Sequence, residues 1–203
     1  MIANHIHDAL EQVRTLQEFI LEKRLFRGYS GAARLAAAAA VLLGTCILAS
    51  DRVPRDPQAH LIGWGVVCGV ALLVNYLFLL YWFLFDEGVR RNPVMLKPAL
   101  DAFPALIVGA ALSAAVVRIG AYDCLFGVWM CLYGLAQAAY RQALPPGVYA
   151  LGLGYIACGI YCLLSPHVSF VNPWPMGVVF FLGEAAGGYI LLMRQRAYRH
   201  RQA

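Results

Sequence analysis

PMGVVFFLGEAAGGYILLM, residues 175–193, is an apolar run in which Glu184 is the only charged residue. A run of this length, formed as an α-helix, crosses the roughly 30 Å hydrocarbon core of a bilayer. Glu184 lies near the middle of the run, well away from Trp174 at one end and Arg194 at the other. The stretch therefore predicts a transmembrane helix with a carboxyl group at mid-depth.

Five further apolar runs predict five further spans. Of the 203 residues, 61% are hydrophobic and only 13% are charged, whereas about 25% are charged in soluble proteins. No run shows the period-two alternation of a barrel strand, so helices are expected. The fold class is all-α, a polytopic membrane protein of six transmembrane helices. The other five runs are residues 32–50, 61–85, 104–120, 122–140 and 147–164.

The positive charges predict the orientation of the bundle. With six spans and both termini on one side, only Arg52, Arg55 and Arg118 of the sixteen Lys and Arg residues fall on the opposite side. Because cytoplasmic loops are enriched in Lys and Arg, both termini are expected in the cytoplasm. We expect a multi-pass protein of the bacterial inner membrane, with its bundle at 32–193 and a basic cytoplasmic tail at 194–203.

Residues 1–31 are expected to form a cytoplasmic amphipathic helix and a linker. Ile6, Val13, Leu16 and Ile20 follow one another at intervals of seven, three and four, which is the spacing of a helical seam. Its acidic and basic residues balance, unlike the basic face of a membrane-surface helix. The helix is expected to dock on another helix. Its partner is its own bundle, a second copy of the chain or another protein.

Small residues four positions apart predict where helices approach one another closely. These pairs are Gly65 with Gly69, Gly109 with Ser113, and Gly183 with Gly187. Small residues let helix backbones come together where lipid provides no hydrophobic driving force. Packing within the bundle is the expected use of these faces, and self-association is the alternative.

A carboxylate at mid-depth costs at least about 2.5 kcal/mol even on the lenient insertion scale. Glu184 is therefore expected to face the interior and find partners, or to stay protonated. No Lys or Arg lies at its depth in any span, so the sequence argues against a buried ion pair. The candidate polar site comprises Glu184, Asn75, Tyr76 and Gln137. The acid acts as a neutral strut, as a proton-titrating or ligand-binding group, or as a contact for a partner.

Other chemistry finds little support in the sequence. The six cysteines lack metal-ligand spacing and the five histidines fall outside the predicted spans, so neither a metal nor a cofactor is expected. GYSG at 28–31 matches the Gly-x-Ser-Gly of rhomboid proteases. Ser30 nevertheless precedes the first span, and the last span has no histidine to activate a hydroxyl. Nucleic-acid binding is not expected from a basic tail that inside orientation explains.

Three of the predicted spans begin alike, which indicates an internal repeat of helical hairpins. Gly65, Gly127 and Gly177 each open an even-numbered span, and each is followed by a tyrosine further along. In this layout and in its compact six-span size, the chain resembles the bacterial acid-resistance membrane proteins of HdeD type. The resemblance covers the span plan and implies no residue-level role.

The sequence favours a non-enzymatic membrane protein that acts as a helix-packing and interaction module, either a scaffold or an accessory subunit. Its partners are the lipid bilayer and, through the N-terminal helix, a second copy or another protein. No reactive groups are paired in the spans, which argues against an enzyme. The alternative is a small proton-coupled transporter or channel that uses Glu184, although the spans offer few polar side chains to line a pathway.

Overall fold

The computed structural model describes residue 13 and residues 30–85, 103–139 and 145–202. Within these ranges the chain is helical and contains no strand, as the sequence predicts. Besides a short 3₁₀-helix at Tyr122–Cys124, the described residues from 30 onward form six α-helices. They are α1 Gly31–Leu48, α2 Pro57–Phe85, α3 Phe103–Arg118, α4 Leu125–Ala139, α5 Pro146–Leu164 and α6 Trp174–Gln202.

Local sequence determines where several of these helices begin. The Ser30 hydroxyl accepts a hydrogen bond from the Ala33 amide at 3.3 Å and caps α1. Asp56 accepts from the amides of Gln58 and Ala59 at 3.1 and 3.2 Å ahead of α2. Pro57 and Pro146 are the first residues of α2 and α5. Proline suits this position because the first helical N–H has no partner in the helix.

Four helices are long and apolar enough to cross a membrane: Gly31–Leu48, Pro57–Phe85, Pro146–Leu164 and the Trp174–Ala197 part of α6. The other two are shorter, with 16 residues in α3 and 15 in α4. The run at 122–140 was predicted as one span, but it divides into the 3₁₀-helix and α4. The predicted tail at 194–203 continues α6 as helix to Gln202.

The bundle contains two closely packed antiparallel pairs of helices, α1 with α6 and α4 with α5. Glycines make both approaches close. A Cβ built on Gly31 would lie 2.6 Å from the Gly188 carbonyl, and one built on Gly134 would lie 2.5 Å from the Gly152 carbonyl. Helix α5 packs on α6 and joins the pairs, while α2 packs on α1 and α3 on α4.

The two ends of the bundle differ in composition. The Leu48 end, which includes the first residues of α4 and α6, holds a buried cluster around Phe126, Met130 and Phe170. The opposite end, which we call the Gly31 end, includes the start of α5 and the last residues of α4. Glu184 lies between these two ends.

Trp64 of α2 is buried in the cluster at the Leu48 end. Only 2% of its surface is exposed, and its ring meets Phe126 edge-on with centroids 6.0 Å apart. The indole Nε1 and both ring nitrogens of buried His60, one turn earlier, have no hydrogen-bond partner in the described chain. Of the α2 residues, only His60 and Trp64 are buried.

Candidate functional site

Glu184 forms a buried ion pair with Arg34, which lies 150 residues away in the sequence. The guanidinium Nε donates to Oε2 and Nη2 donates to Oε1, both at 2.8 Å. Only 3% of Arg34 and 5% of Glu184 is exposed. This two-point geometry matches the planar fork of a guanidinium to the two oxygens of a carboxylate.

Two tyrosine hydroxyls complete the surroundings of the carboxylate. Tyr133 on α4 donates to Oε1 at 2.5 Å, and Tyr155 on α5 lies 3.3 Å from the same oxygen. The Tyr155 hydroxyl is also 3.4 Å from the Phe180 carbonyl. The rings of Tyr133 and Tyr155 meet edge-on, with centroids 5.0 Å apart, and both pack against Phe180. Side chains from α1, α4 and α5 thus converge on one acid of α6.

Glycines on either side of Glu184 make room for its partners. A Cβ built on Gly187 would lie 2.5 Å from Cζ of Arg34, and one built on Gly183 would overlap the Tyr155 ring. Both residues were predicted as helix-packing positions, and here they lie against the side chains that bind Glu184. The GEAAG sequence therefore brings the acid and its partners together on one face of α6.

The ion pair corrects the sequence-based argument that no cation reaches Glu184. That argument placed the charge of Arg34 at the depth of its backbone, in the first turn of α1. An arginine side chain is long enough to carry its charge past one helical turn of 5.4 Å. Because α1 and α6 run antiparallel, with Gly31 beside Gly188, this reach brings the guanidinium to Glu184.

The structure does not bring the other predicted polar residues onto Glu184. Asn75 donates to the Ala71 carbonyl of its own helix at 2.9 Å. Asn75 and Tyr76 lie on α2, which packs on α1, and Tyr76 is exposed. Gln137 lies on α4 one turn beyond Tyr133, toward the Gly31 end. It is 7% exposed, and neither its Oε1 nor its Nε2 has a hydrogen-bond partner in the described chain.

The remaining predicted packing residues differ in how closely they contact another helix. Gly65 and Gly69 have no atom of the described chain within 4 Å of a built Cβ, and Gly109 meets only Leu132, at 3.5 Å. Ser113 accepts a hydrogen bond from Trp129 Nε1 at 2.8 Å and so ties α3 to α4. The α2 glycines therefore lie on an outward face of the bundle.

The predicted docking helix lies mostly outside the described residues. Ile6, Leu16 and Ile20 fall in the part of the chain that is not described, and the prediction for them stays a prediction. Val13 is helical and about half exposed.

Arg34, Tyr133 and Tyr155 were not identified from the sequence as members of the site. A signal was available for Tyr155 in the spacing of the neighbouring glycines. Gly127 and Gly134 on α4, like Gly152 and Gly159 on α5, are seven residues apart. Seven residues are two helical turns, so each pair marks one helix face. Tyr155 lies between the two α5 glycines on that face, where it points toward a neighbouring helix.

The arrangement brings together two opposite charges, two hydroxyls and no metal site. Within the described ranges, no three His, Cys, Asp or Glu side chains are placed to hold a metal ion. Both oxygens of Glu184 accept hydrogen bonds from the chain itself. Arginine stays charged in proteins, and its two hydrogen bonds to Glu184 have the geometry of an arginine–carboxylate pair. The site can therefore brace α1, α4 and α5 against α6.

Comparison with known proteins gives no relative from which a role could be transferred. No family model, no curated protein and no solved structure matches the chain.

Proposed function

We propose that the chain is a non-enzymatic integral membrane protein whose bundle serves as a helix-packing and interaction module. The observation that carries the proposal is the engagement of both Glu184 oxygens by Arg34, Tyr133 and Tyr155. An acid that is bonded to side chains of three other helices joins those helices to its own. It is suited to hold helices at fixed positions.

The surface of the bundle supports an interaction role. Large apolar side chains cover the outward face of α2, among them Ile62 and Val66. Gly65 and Gly69 lie on this helix without neighbours in the described chain. Such a surface suits contact with lipid and with a helix of another subunit.

The interaction role is tested by co-purification. Two differently tagged copies are expressed together, solubilised in mild detergent and captured through one tag, and unrelated captured proteins are identified by mass spectrometry. We expect either the second copy or a defined partner in the eluate, and we expect deletion of residues 1–26 to release a partner that binds the N-terminal helix. The proposal would be contradicted if the eluate held only the captured chain, with neither the second copy nor another protein, in every detergent tested.

We also propose that six helices cross the inner membrane and that both termini are cytoplasmic. Four helices have the length and composition for crossing, and α3 extends about 24 Å at 1.5 Å per residue. The distribution of Lys and Arg supports the orientation. The test is impermeant thiol labelling of single cysteines placed at residues 3, 54, 143, 167 and 203 in a cysteine-free background. Labelling of residues 54 and 167 from outside, with the others protected, is expected; termini on opposite sides would refute the arrangement.

A second candidate function is proton-coupled transport, because an ionisable residue buried in a span marks a functional site by default. Glu184 meets this condition, at 5% exposure within the Trp174–Ala197 span. The two functions predict different results in a liposome assay that follows internal pH with an enclosed pH-sensitive dye. The packing module predicts no protein-dependent acidification under a pH gradient. Acidification by the wild-type chain that is lost in Glu184→Gln, with assembly unchanged, would favour transport.

A further inference from the structure

The amide of Gln137 is a buried polar group that the ion pair does not explain. Its side chain is more than nine-tenths buried, and neither the donor nor the acceptor of the amide is bonded to another described residue. A buried amide without partners is destabilising. Gln137 therefore marks a position where a hydrogen-bonding ligand is favoured.

The position of Gln137 connects this amide to the ion pair. Gln137 follows Tyr133 by four residues on α4, so the two side chains lie on the same helix face, about one turn apart. Tyr133 donates to Glu184. Gln137 also lies against α5, since a Cβ on Gly152 would be 3.1 Å from its Cβ. A ligand beside Gln137 is thus about one helical turn from Tyr133, whose hydroxyl donates to Glu184.

The opposite side of the ion pair is apolar. One turn from Tyr133 toward the Leu48 end is Met130, which is fully buried, followed by Phe126, also fully buried. Phe180 packs against both tyrosine rings. These side chains offer no hydrogen-bonding group to a ligand. Along α4, the nearest buried polar side chain to Tyr133 therefore lies toward the Gly31 end, at Gln137.

We infer that a water molecule is bound at the Gln137 amide, on the Gly31 side of the Arg34–Glu184 pair. Water is the smallest molecule that satisfies both a free amide donor and a free amide acceptor, and buried waters hold such positions in proteins. This inference is independent of whether the bundle acts as a scaffold or as a transporter.

Radiolytic labelling of the full chain in lipid nanodiscs tests the inference. Brief X-ray exposure in ¹⁸O-water produces hydroxyl radicals from water in place, and mass spectrometry reports which side chains take up label. We expect Tyr133 to be labelled several-fold faster than Met130, although methionine is intrinsically the more reactive of the two. Equal labelling of both, or no labelling of Tyr133, would overturn the inference.

Substitution of Gln137 provides the second measurement. Gln137→Leu should reduce Tyr133 labelling several-fold, while Leu135→Val, on the lipid-facing side of the same helix, should leave it unchanged. The melting temperatures of Gln137→Leu and wild type show whether the Gln137 amide is bound to water or lacks any partner. If Gln137→Leu melts clearly higher than wild type and Tyr133 labelling is unchanged, the amide is dry and the inference is wrong. The comparison of Tyr133 with Met130 in the wild-type chain stands even if the variant does not fold.

Discussion

The buried ion pair predicts strong energetic coupling between Arg34 and Glu184. Replacing one member of a buried pair with an apolar residue leaves the other charge without its counter-ion, at a cost of about 3–5 kcal/mol. Arg34→Met and Glu184→Met are each expected to destabilise the bundle by this amount. The perturbation is local, since both residues lie at the α1–α6 contact.

The double variant, Arg34→Met with Glu184→Met, tests the coupling, because its free energy of unfolding is compared with the sum of the two single effects. With both charges gone, the remaining loss comes chiefly from the Tyr133 hydroxyl, which no longer has a carboxylate to bind, at about 1–3 kcal/mol. The two single effects would sum to about 6–10 kcal/mol if they were independent. The double variant should therefore be several kcal/mol more stable than additivity predicts.

The assay is equilibrium unfolding in mixed micelles of dodecyl maltoside and dodecyl sulfate, followed by the fluorescence of the four tryptophans. Glu184→Gln serves as the matched control, because it keeps an acceptor for Tyr133 but leaves the Arg34 charge unbalanced. It should be destabilising nearly as much as Glu184→Met. Single effects that add to within about 0.5 kcal/mol would mean that the two residues act independently. A silent Glu184→Gln would mean that the acid is neutral, and either result refutes the ion-pair argument.

Three further predictions use the same unfolding assay. Tyr133→Phe removes the hydrogen bond to a charged oxygen and should be destabilising by about 1.5–3 kcal/mol; an unchanged midpoint would show that this bond contributes nothing. Gly187→Ala places a methyl against the Arg34 guanidinium and should be destabilising by about 1–3 kcal/mol. Gly69→Ala, its matched control on α2, meets open space and should be neutral or stabilising by up to about 1 kcal/mol. Equal effects of the two alanines would contradict the assignment of Gly187 to the site.

The helices could be predicted from the sequence because each follows an apolar run bounded by proline, glycine or polar residues. The boundaries were less certain where two signals compete. Residues 122–124 belong to an apolar run, yet they form a separate 3₁₀-helix after Gly120, whose φ of +74° suits a residue without a side chain. At α6 the charged residues after Met193 were taken to end the helix, but they continue it.

The site was only partly predictable, because a single sequence gives the depth of a residue but not the direction of its side chain. Glu184 could be singled out since a carboxyl group stands out among apolar residues. Arg34 could not be paired with it without knowing that α1 and α6 are adjacent and antiparallel. Asn75 has a suitable depth, but it lies on a helix that packs elsewhere.

The pairing of α1 with α6 has a consequence for biosynthesis. The first of the described helices leaves the ribosome long before the last, so Arg34 enters the membrane while its counter-ion is still untranslated. Until then the guanidinium stays near the headgroups or binds water, and α1 has no stable place in the bundle. A nascent chain that stops before residue 184 leaves the Arg34 cation without its counter-ion. Completion of translation is thus coupled, through one pair of charges, to the closure of the bundle.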